Sequence, residues 1–236
     1  MEIEKKIFNK IYKKILNHKK KGFIIIDGIT CSGKTSFSNF LRSSLKKQKI
    51  KSIIISKDLF LKSRKHRIKL LKTKLNLKIN QNSNHYDLSR FKNLLFKIND
   101  KQKLTQNLNI KNLYNRKTGL NDATFKLITK PDTLYIIEGL YILEDLPKNY
   151  KPILKILLIN DLYKSLSKKL ERIRDKSISL EKVIYEFKKI HLETFLKYLK
   201  KNYNFNLIIN YLNHKKNEKK TIASHSAIIK NFLKKH

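Results

Sequence analysis

The stretch IIIDGITCSGKTSF, residues 24–37, constrains the fold more than any other part of the sequence. An apolar run leads into a loop that contains Gly28 and Gly33, two of only five glycines in the chain. Residues 28–35 match the pattern G-x-x-x-x-G-K-[ST] at every position. The apolar run predicts a buried strand, and the spacing of the apolar residues that follow predicts a helix. We therefore expect a strand, a phosphate-binding loop and a helix in direct succession.

The residues of this loop suit the binding of a nucleoside triphosphate. Gly28 and Gly33 let the backbone bend so that successive N–H groups point at phosphate oxygens, next to the positive end of the helix dipole. Lys34 can reach the β- and γ-phosphates in a catalytic role, and the Thr35 hydroxyl can coordinate Mg²⁺. Cys31 is interpreted as a small residue that fills the loop. The residues expected to bind the nucleotide are Gly28, Thr30, Cys31, Ser32, Gly33, Lys34, Thr35 and Ser36.

Short apolar segments alternate with helical segments along the chain. The predicted strands span residues 23–27, 52–56, 133–139, 153–159 and 205–210. The predicted helices span residues 3–17, 34–47, 91–98, 162–175, 180–201 and 221–234, and residues 61–80 are interpreted as a helix or a mobile segment. This alternation indicates a parallel sheet covered on both faces. We predict an α/β fold of the P-loop NTPase type, with a five-stranded parallel sheet flanked by helices.

Composition limits the partners and the compartment. The net charge of +37 attracts polyanions such as nucleic acid, an anionic membrane surface or phosphorylated substrates. The lysines are spread along the whole chain, however, which favours solvated lysines on every face over a selected nucleic-acid surface. No apolar run is long enough to span a bilayer, and the single cysteine fits a reducing compartment. We expect a cytoplasmic protein that binds nucleic acid non-specifically if at all.

Two carboxylates follow predicted strands. Asp58 comes directly after the second strand, and Glu138 lies at the end of the strand at 133–139. In a sheet with the order 2-3-1-4-5, the end of the second strand lies near the phosphate loop. Asp58 could then accept a proton from an attacking hydroxyl, and an ordinary helix-capping aspartate is the alternative. Glu138 stands where a carboxylate that organises Mg²⁺ belongs.

These motifs, in this order, resemble the uridine kinase and phosphoribulokinase family of P-loop kinases over residues 22–234. DLF at 58–60 is similar to the family's D-x-F, which implies that Asp58 is the catalytic base. IIEG is similar to the family's V-x-E-G, which implies that Glu138 serves Mg²⁺. The resemblance also implies a helical lid that carries arginines.

The resemblance extends to the acceptor side. NSNHYDLSR at 82–90 is similar to N-x-D-H-P-D-x-x-D, which implies that Asp87 holds ribose hydroxyls. Tyr114 stands where the family has a tyrosine that contacts the base, after a short β-connection. KKLERIRD is similar to the lid helix and implies phosphate or substrate contacts. The residues implied for substrate binding are His85, Asp87, Tyr114, Arg172 and Arg174.

Three positions depart from the family pattern. The H-P-D triplet reads His85-Tyr86-Asp87, so a tyrosine replaces the proline. Gly119 falls near the position of a pyrimidine-contacting histidine, and the lid sequence E-R-G-R is replaced by residues 176–179, KSIS. The sequence therefore supports the core chemistry more strongly than specificity for uridine.

Taken together, the motifs predict a Mg²⁺-dependent kinase that uses ATP or GTP and phosphorylates a small molecule, with the 5′-hydroxyl of a pyrimidine nucleoside as the favoured acceptor. One alternative is a kinase of another metabolite, such as a sugar phosphate or a pantothenate-like alcohol. Another is a basic, nucleotide-dependent nucleic-acid-binding protein, which the joint presence of Asp58, Asp87 and Glu138 disfavours because a pure binder needs no base. A monomer and a homo-oligomer are both compatible with the sequence.

The N-terminal segment is predicted to lie outside the kinase domain. Residues 3–17 place apolar side chains at helical spacing, with lysines on the opposite face. Such a helix either packs on the domain, which we favour, or lies on a membrane surface. We divide the chain into an amphipathic helix, residues 1–21, and a P-loop kinase domain, residues 22–236.

Overall fold

A computed structural model of the chain has a five-stranded parallel sheet at its centre. It describes residues 2–18, 21–73, 85–100, 105–147, 150–171, 180–201 and 203–209. The strands are β1 (Gly22–Gly28), β2 (Ser52–Ser56), β3 (Gln106–Leu113), β4 (Ala123–Thr129), β5 (Leu134–Glu138), β6 (Leu154–Leu158) and β7 (Leu207–Ile209). The parallel sheet has the order β2-β5-β1-β6-β7, which is the predicted 2-3-1-4-5 order once β3 and β4 are set aside.

Apart from a short helix at Ile142–Asp145, which was not predicted, the helices lie in segments for which the sequence predicts or allows a helix. They are α1 (Glu2–Asn17), α2 (Lys34–Lys47), α3 (Arg64–Thr73), α4 (Leu88–Asp100), α5 (Ile142–Asp145), α6 (Leu162–Glu171), α7 (Leu180–Glu186) and α8 (Glu193–Lys200). A 3₁₀ turn, Lys57–Phe60, follows β2, and a π-helical turn, Phe187–Leu192, joins α7 to α8. The helix predicted at 221–234 lies outside the described residues.

The antiparallel hairpin formed by β3 and β4 was not predicted. Its strands pair from Gln106–Thr129 to Leu113–Ala123, and the register shifts between Ile110 and Leu113. Half of β3 consists of asparagine and lysine, which have low β-propensity, and partly buried side chains alternate with exposed ones over most of the strand. The hairpin therefore gives a much weaker sequence signal than the apolar strands of the main sheet.

The two faces of the sheet pack against different apolar clusters, because side chains alternate along β1, and a third cluster joins Leu157 of β6 to Phe195 of α8. Ile24 and Ile26 contribute to one cluster with Phe37 of α2, whereas Ile25 contributes to the other with Phe91 of α4. Every residue of β5 is buried, and β1 is buried from Phe23 onward. This two-sided burial confirms the α/β fold with helices on both faces of a parallel sheet.

Helix α1 packs on the sheet domain. Ile7, Ile11 and Ile15, spaced at four residues along one face of the helix, are 5%, 0% and 0% exposed. They belong to the same apolar cluster as Leu41 and Leu45 of α2. The apolar stripe of α1 is thus buried against protein, as favoured from the sequence. Within the described residues, no helix is long and apolar enough to cross a membrane.

We expect Ile11→Ala to lower the free energy of unfolding by about 3 kcal/mol, because it leaves a cavity in the cluster under α1. Lys13→Ala, an exposed position on the same helix, is the matched control and should change stability by less than about 0.5 kcal/mol. Urea unfolding followed by circular dichroism measures both. Equal stability of the two variants would show that α1 does not pack on the domain.

Candidate active site

The phosphate loop joins β1 to α2 as the sequence predicts. Gly28 has φ +153° and Gly33, at the N-terminus of α2, has φ +94°. A Cβ atom on Gly28 would lie 2.3 Å from the carbonyl oxygen of Leu158 in β6 and 2.8 Å from Ser32 Oγ. Both space and backbone conformation therefore require glycine at position 28.

The smaller residues of the loop lie at different depths. Ser32 is fully buried, whereas Thr30 and Cys31 are half-buried and Ser36 is exposed on the first turn of α2. Cys31 has a positive φ of 60°, which is unusual for a residue other than glycine. Alternating backbone conformations of this kind turn successive N–H groups toward one point, which is the property that an anion site needs.

The Lys34 side chain folds back over the loop. Its Nζ donates to the carbonyl oxygens of Gly28, at 2.9 Å, and Ile29, at 2.7 Å. Burial lowers the pKa of Lys34, and the nearby carboxylates of Glu138 and Asp58 oppose that shift. The ammonium is thus held inside the loop, close to the acidic residues at the edge of the sheet.

Thr35 and Glu138, the two residues assigned to magnesium, lie together. Thr35 Oγ1 donates to Glu138 Oε1 at 3.4 Å, and Glu138 is only 2% exposed. Burial and the neighbouring Asp58 raise the pKa of Glu138, against a hydrogen bond from Ser56 and the charge of Lys34. A hydroxyl and a carboxylate are oxygen ligands of the type that Mg²⁺ prefers, so the residues present fit the ion. Among the described residues no three His, Cys, Asp or Glu side chains group to hold a metal, and Mg²⁺ commonly keeps several waters.

Asp58 lies on the 3₁₀ turn after β2 and has both carboxylate oxygens engaged. The Tyr86 hydroxyl donates to Oδ1 at 3.1 Å, and the guanidinium of Arg116 bonds Oδ2. The charge of Asp58 also acts on Lys34 and Glu138, so Asp58 lies near the phosphate loop, as the strand order predicts. Neither Tyr86 nor Arg116 was predicted to contact it. Their contacts depend on chain segments distant in sequence, for which the motifs gave no signal.

Asp27 is a third residue of the site that the motifs did not indicate. Its carboxylate accepts hydrogen bonds from the backbone N–H groups of Gly28, Tyr141 and Ile142 at 2.7–2.9 Å and from the Tyr198 hydroxyl at 2.6 Å. Burial raises the pKa of Asp27, and the bond from Tyr198 is the largest opposing effect. The available signal was a lone charge at the end of an apolar strand, directly before the loop.

Asp87 caps a helix beside a cavity. Its Oδ1 accepts from Ser89 Oγ at 2.8 Å and from the Arg90 N–H at 3.2 Å, which is the geometry of an N-cap on α4. Its Oδ2 lies 4.0 Å from Arg90 Nε. The cavity has a volume of about 310 Å³ and is lined by Leu59, Phe60, Leu61, Lys62, Ser63, His66, Asp87, Arg90, Asn112 and Asn121.

Tyr114 and Gly119 lie on the segment that follows β3. The Tyr114 ring is buried beneath the guanidinium of Arg67, 4.8 Å from the ring centroid, and its N–H donates to Leu59 O at 2.8 Å. Gly119 has φ +78°, and a Cβ atom there would lie 2.9 Å from Arg64 Cζ. A histidine at this position would therefore have to displace the Arg64 side chain.

His85 is buried next to a cluster of charged side chains. Within the described chain, its Nε2 atom has no hydrogen-bond partner. Burial, together with the positive charges of His191 and Arg67, lowers its pKa to about 4, so the imidazole is neutral near pH 7. Glu186 Oε1 lies 3.2 Å from Lys169 Nζ and 3.4 Å from His191 Nε2. These two contacts join α6, which carries Lys169, to the π-helical turn, which carries His191. Burial alone would raise the pKa of Glu186, but these two partners lower it to about 2.

The structure thus brings Lys34, Thr35, Asp58 and Glu138 together and places Asp87 on a cavity whose lining begins at Leu59, directly after Asp58. Arg172 and Arg174 lie outside the described residues.

The parallel sheet and the strand–loop–helix unit define a P-loop nucleotide-binding protein. The sequence profile of the phosphoribulokinase / uridine kinase family matches residues 23–217, and the chain belongs to this family. The resemblance drawn from the motifs is therefore confirmed. No curated protein sequence gave a significant match.

Solved structures share the fold at low sequence identity. A possible uridine kinase from Bacillus stearothermophilus has a TM-score of 0.51 and 15% identity, over 84% of this chain and 98% of that chain. A protein provisionally described as a fructose transport system kinase from Silicibacter sp. TM1040 has a TM-score of 0.51 and 14% identity, over 76% and 85%. D-glycerate 3-kinase from Cryptococcus neoformans has a TM-score of 0.50 and 12% identity, over 80% and 86%. These likenesses establish the fold alone.

We expect His85→Gln to reduce the loss in free energy of unfolding that the wild-type protein shows as the pH falls. Because the pKa of His85 is about 4 in the folded protein, against 6.5 for an unperturbed histidine, the unfolded chain binds the proton first as the pH falls. The free energy of unfolding should therefore decrease between pH 6.5 and 4, by up to about 3 kcal/mol from this group. Urea unfolding at about pH 7.5, 5.5 and 4.5 measures the loss, with exposed His66→Gln as control. The same pH-dependent loss in His85→Gln and wild type would contradict the expectation.

Proposed function

We propose that the protein transfers the γ-phosphate of ATP or GTP to a hydroxyl of a small molecule. The observation that supports this proposal is that Asp58 lies near Lys34 and Glu138 at the carboxyl edge of the sheet, where Glu138 accepts a hydrogen bond from Thr35. A site of this kind holds a triphosphate on one side and leaves a carboxylate on the other. That carboxylate is the group a hydroxyl acceptor needs and a simple nucleotide binder does not.

In the proposed reaction, the acceptor oxygen forms a bond to the γ-phosphorus while the bond from that phosphorus to the β-γ bridging oxygen breaks. The hydroxyl proton passes to Asp58, and the nucleoside diphosphate leaves. Lys34 and the inward-facing N–H groups of the loop stabilise the charge on the transferred group. Arg172 and Arg174 remain predicted lid contacts to phosphate or substrate.

Thr35 and Glu138 are the residues that would hold Mg²⁺. The ion would neutralise charge on the β- and γ-phosphates when the nucleotide is bound. Glu138 suits this role because a buried carboxylate beside Asp58 is stabilised in its charged form by a nearby cation.

A nucleoside, phosphorylated on its 5′-hydroxyl, is the acceptor we propose first. Asp87 and Tyr114 both contact the segment that follows Asp58, since Asp87 N donates to Phe60 O and Tyr114 N donates to Leu59 O, both at 2.8 Å. Asp87 uses one carboxylate oxygen for helix capping. Its Oδ2, next to Arg90, is the oxygen we assign to ribose hydroxyls.

The cavity beside Asp87 favours a second acceptor class, an alcohol that carries phosphate or carboxylate. Among the described residues that line it, Lys62, His66 and Arg90 stand beside a single acidic residue, Asp87. Such a lining would stabilise an anionic group on the acceptor. This proposal keeps the same base and the same phosphate loop and changes only the acceptor.

We expect Asp58→Asn to lower kcat by about 100-fold or more while the KM for ATP stays within about twofold, because a general base acts only in the transition state. The assay follows transfer from γ-³²P-ATP to nucleosides, sugar phosphates and pantothenate. Asp132→Asn, at an exposed turn before β5, is the matched control and should retain wild-type kcat. A variant that loses only ATP affinity would place Asp58 in the metal site instead.

We expect Asp87→Ser to abolish a preference for uridine over 2′-deoxyuridine and to lower kcat/KM for uridine by about 100-fold. A site built to bond a hydroxyl rejects the analogue that lacks it, and serine is too short to reach. Because serine is also a good N-cap, thermal stability should remain within about 0.5 kcal/mol of wild type. Phosphorylation of a sugar phosphate but no nucleoside would assign the acceptor to the second class.

A further inference from the structure

Tyr86 stands where the family pattern has proline, and it touches the proposed base. The side chain is 5% exposed, and its hydroxyl donates to Asp58 Oδ1 at 3.1 Å. The backbone around it is fixed against the segment that carries Asp58. Lys62 N donates to His85 O at 2.9 Å, Asp87 N donates to Phe60 O at 2.8 Å, and Tyr86 forms a bridge with Leu61.

The Tyr86 ring packs against the ammonium group of Lys57. Lys57 Nζ lies 4.5 Å from the ring centroid, within the range of a cation–π interaction. The ammonium is fully buried and is held by Asp145 Oδ2 at 2.6 Å and by Leu140 O at 2.7 Å. Because Lys57 and Asp58 are adjacent, one short turn carries both the carboxylate and the cation that orients its hydrogen-bond donor.

The two oxygens of Asp58 have unlike partners. Oδ1 bonds the buried Tyr86, whereas Oδ2 bonds Arg116, whose side chain is 59% exposed. An exposed arginine can exchange its partner for solvent or for an anionic ligand. A buried tyrosine that loses its partner leaves its hydroxyl without a hydrogen bond, which costs more free energy.

We propose that Tyr86 is a positioning residue that fixes Asp58 through Oδ1, so that Oδ2 is the atom that accepts the proton of the acceptor hydroxyl. The inference rests on the proposed role of Asp58 as base. During transfer the acceptor O–H bond breaks, its proton bonds Oδ2, and the new O–P bond forms as the nucleoside diphosphate leaves. Tyr86 only donates its hydrogen bond throughout. Burial and the adjacent carboxylate raise the pKa of Tyr86, which keeps the donor protonated at neutral pH.

The test is Tyr86→Phe, which removes the hydroxyl and keeps the ring over Lys57. We expect kcat to fall about tenfold with both KM values within about twofold, the size expected for one hydrogen bond to a charged group. Tyr150→Phe is the matched control, because Tyr150 is also buried and its hydroxyl donates to Leu95 O at 2.7 Å, away from Asp58. It should retain wild-type kcat.

A double variant separates positioning from a general structural effect. If Tyr86 acts through Asp58, adding Tyr86→Phe to Asp58→Asn should lower kcat no further. A tenfold loss in that background too, or wild-type kcat in Tyr86→Phe alone, would overturn the inference. Wild-type kcat in Asp58→Asn would instead overturn the proposed function of Asp58, so the two failures are distinguishable.

A spectroscopic measurement needs no turnover. In protein labelled with ¹³C at aspartate carboxyl carbons, the Asp58 signal is assigned by its loss in Asp58→Asn. It should shift in Tyr86→Phe and remain in place in Tyr150→Phe. An unchanged Asp58 signal in Tyr86→Phe would overturn the inference whatever the rate of transfer.

Discussion

The buried carboxylate of Asp27 is the interaction on which the site most depends. It accepts four hydrogen bonds, and the donors belong to three separate parts of the chain: the start of the phosphate loop, the turn after β5 and helix α8. A buried carboxylate is tolerated only when such donors surround it, and each donor would be left unpaired without it. Asp27 therefore fixes the loop relative to the end of β5, where Glu138 lies.

The parallel sheet then brings the remaining chemistry to the same edge. β5 lies between β1 and β2, so Glu138 stands between the loop that follows β1 and the turn that carries Asp58 after β2. Residues far apart in sequence thereby come to lie at neighbouring strand ends. This geometry belongs to parallel sheets in general, since their carboxyl ends share one edge. The order of the strands, and not any single contact, makes Asp58 and Lys34 neighbours.

The parts that could be predicted from sequence are those with a local signal. The loop from Gly28 to Thr35 follows from its spacing, and the strand at 52–56 follows from its apolar run. Local patterns did not indicate the β3–β4 hairpin, since its asparagines and lysines resemble a loop. They also could not indicate which side chains Asp58 bonds, because Tyr86 and Arg116 come to it through long-range packing. The capping role of Asp87 does have a local signal, since aspartate is a favoured N-cap residue and stands directly before the helix that begins at Leu88.

The two halves of the site differ in how far they keep the family pattern. The phosphate half retains its glycines, its lysine and its acidic partner. The departures lie on the acceptor half. At two of them, neighbouring side chains make contacts that depend on the residue present here. Gly119 leaves the space that Arg64 occupies, and Tyr86, in place of proline, bonds Asp58, the residue that we propose as the base. A change of acceptor requires new contacts only on the acceptor side, whereas the triphosphate needs the same phosphate-binding loop whatever the acceptor is. The distribution of the departures therefore favours our proposal that acceptor specificity lies around Asp58 and Asp87, and not in the phosphate loop.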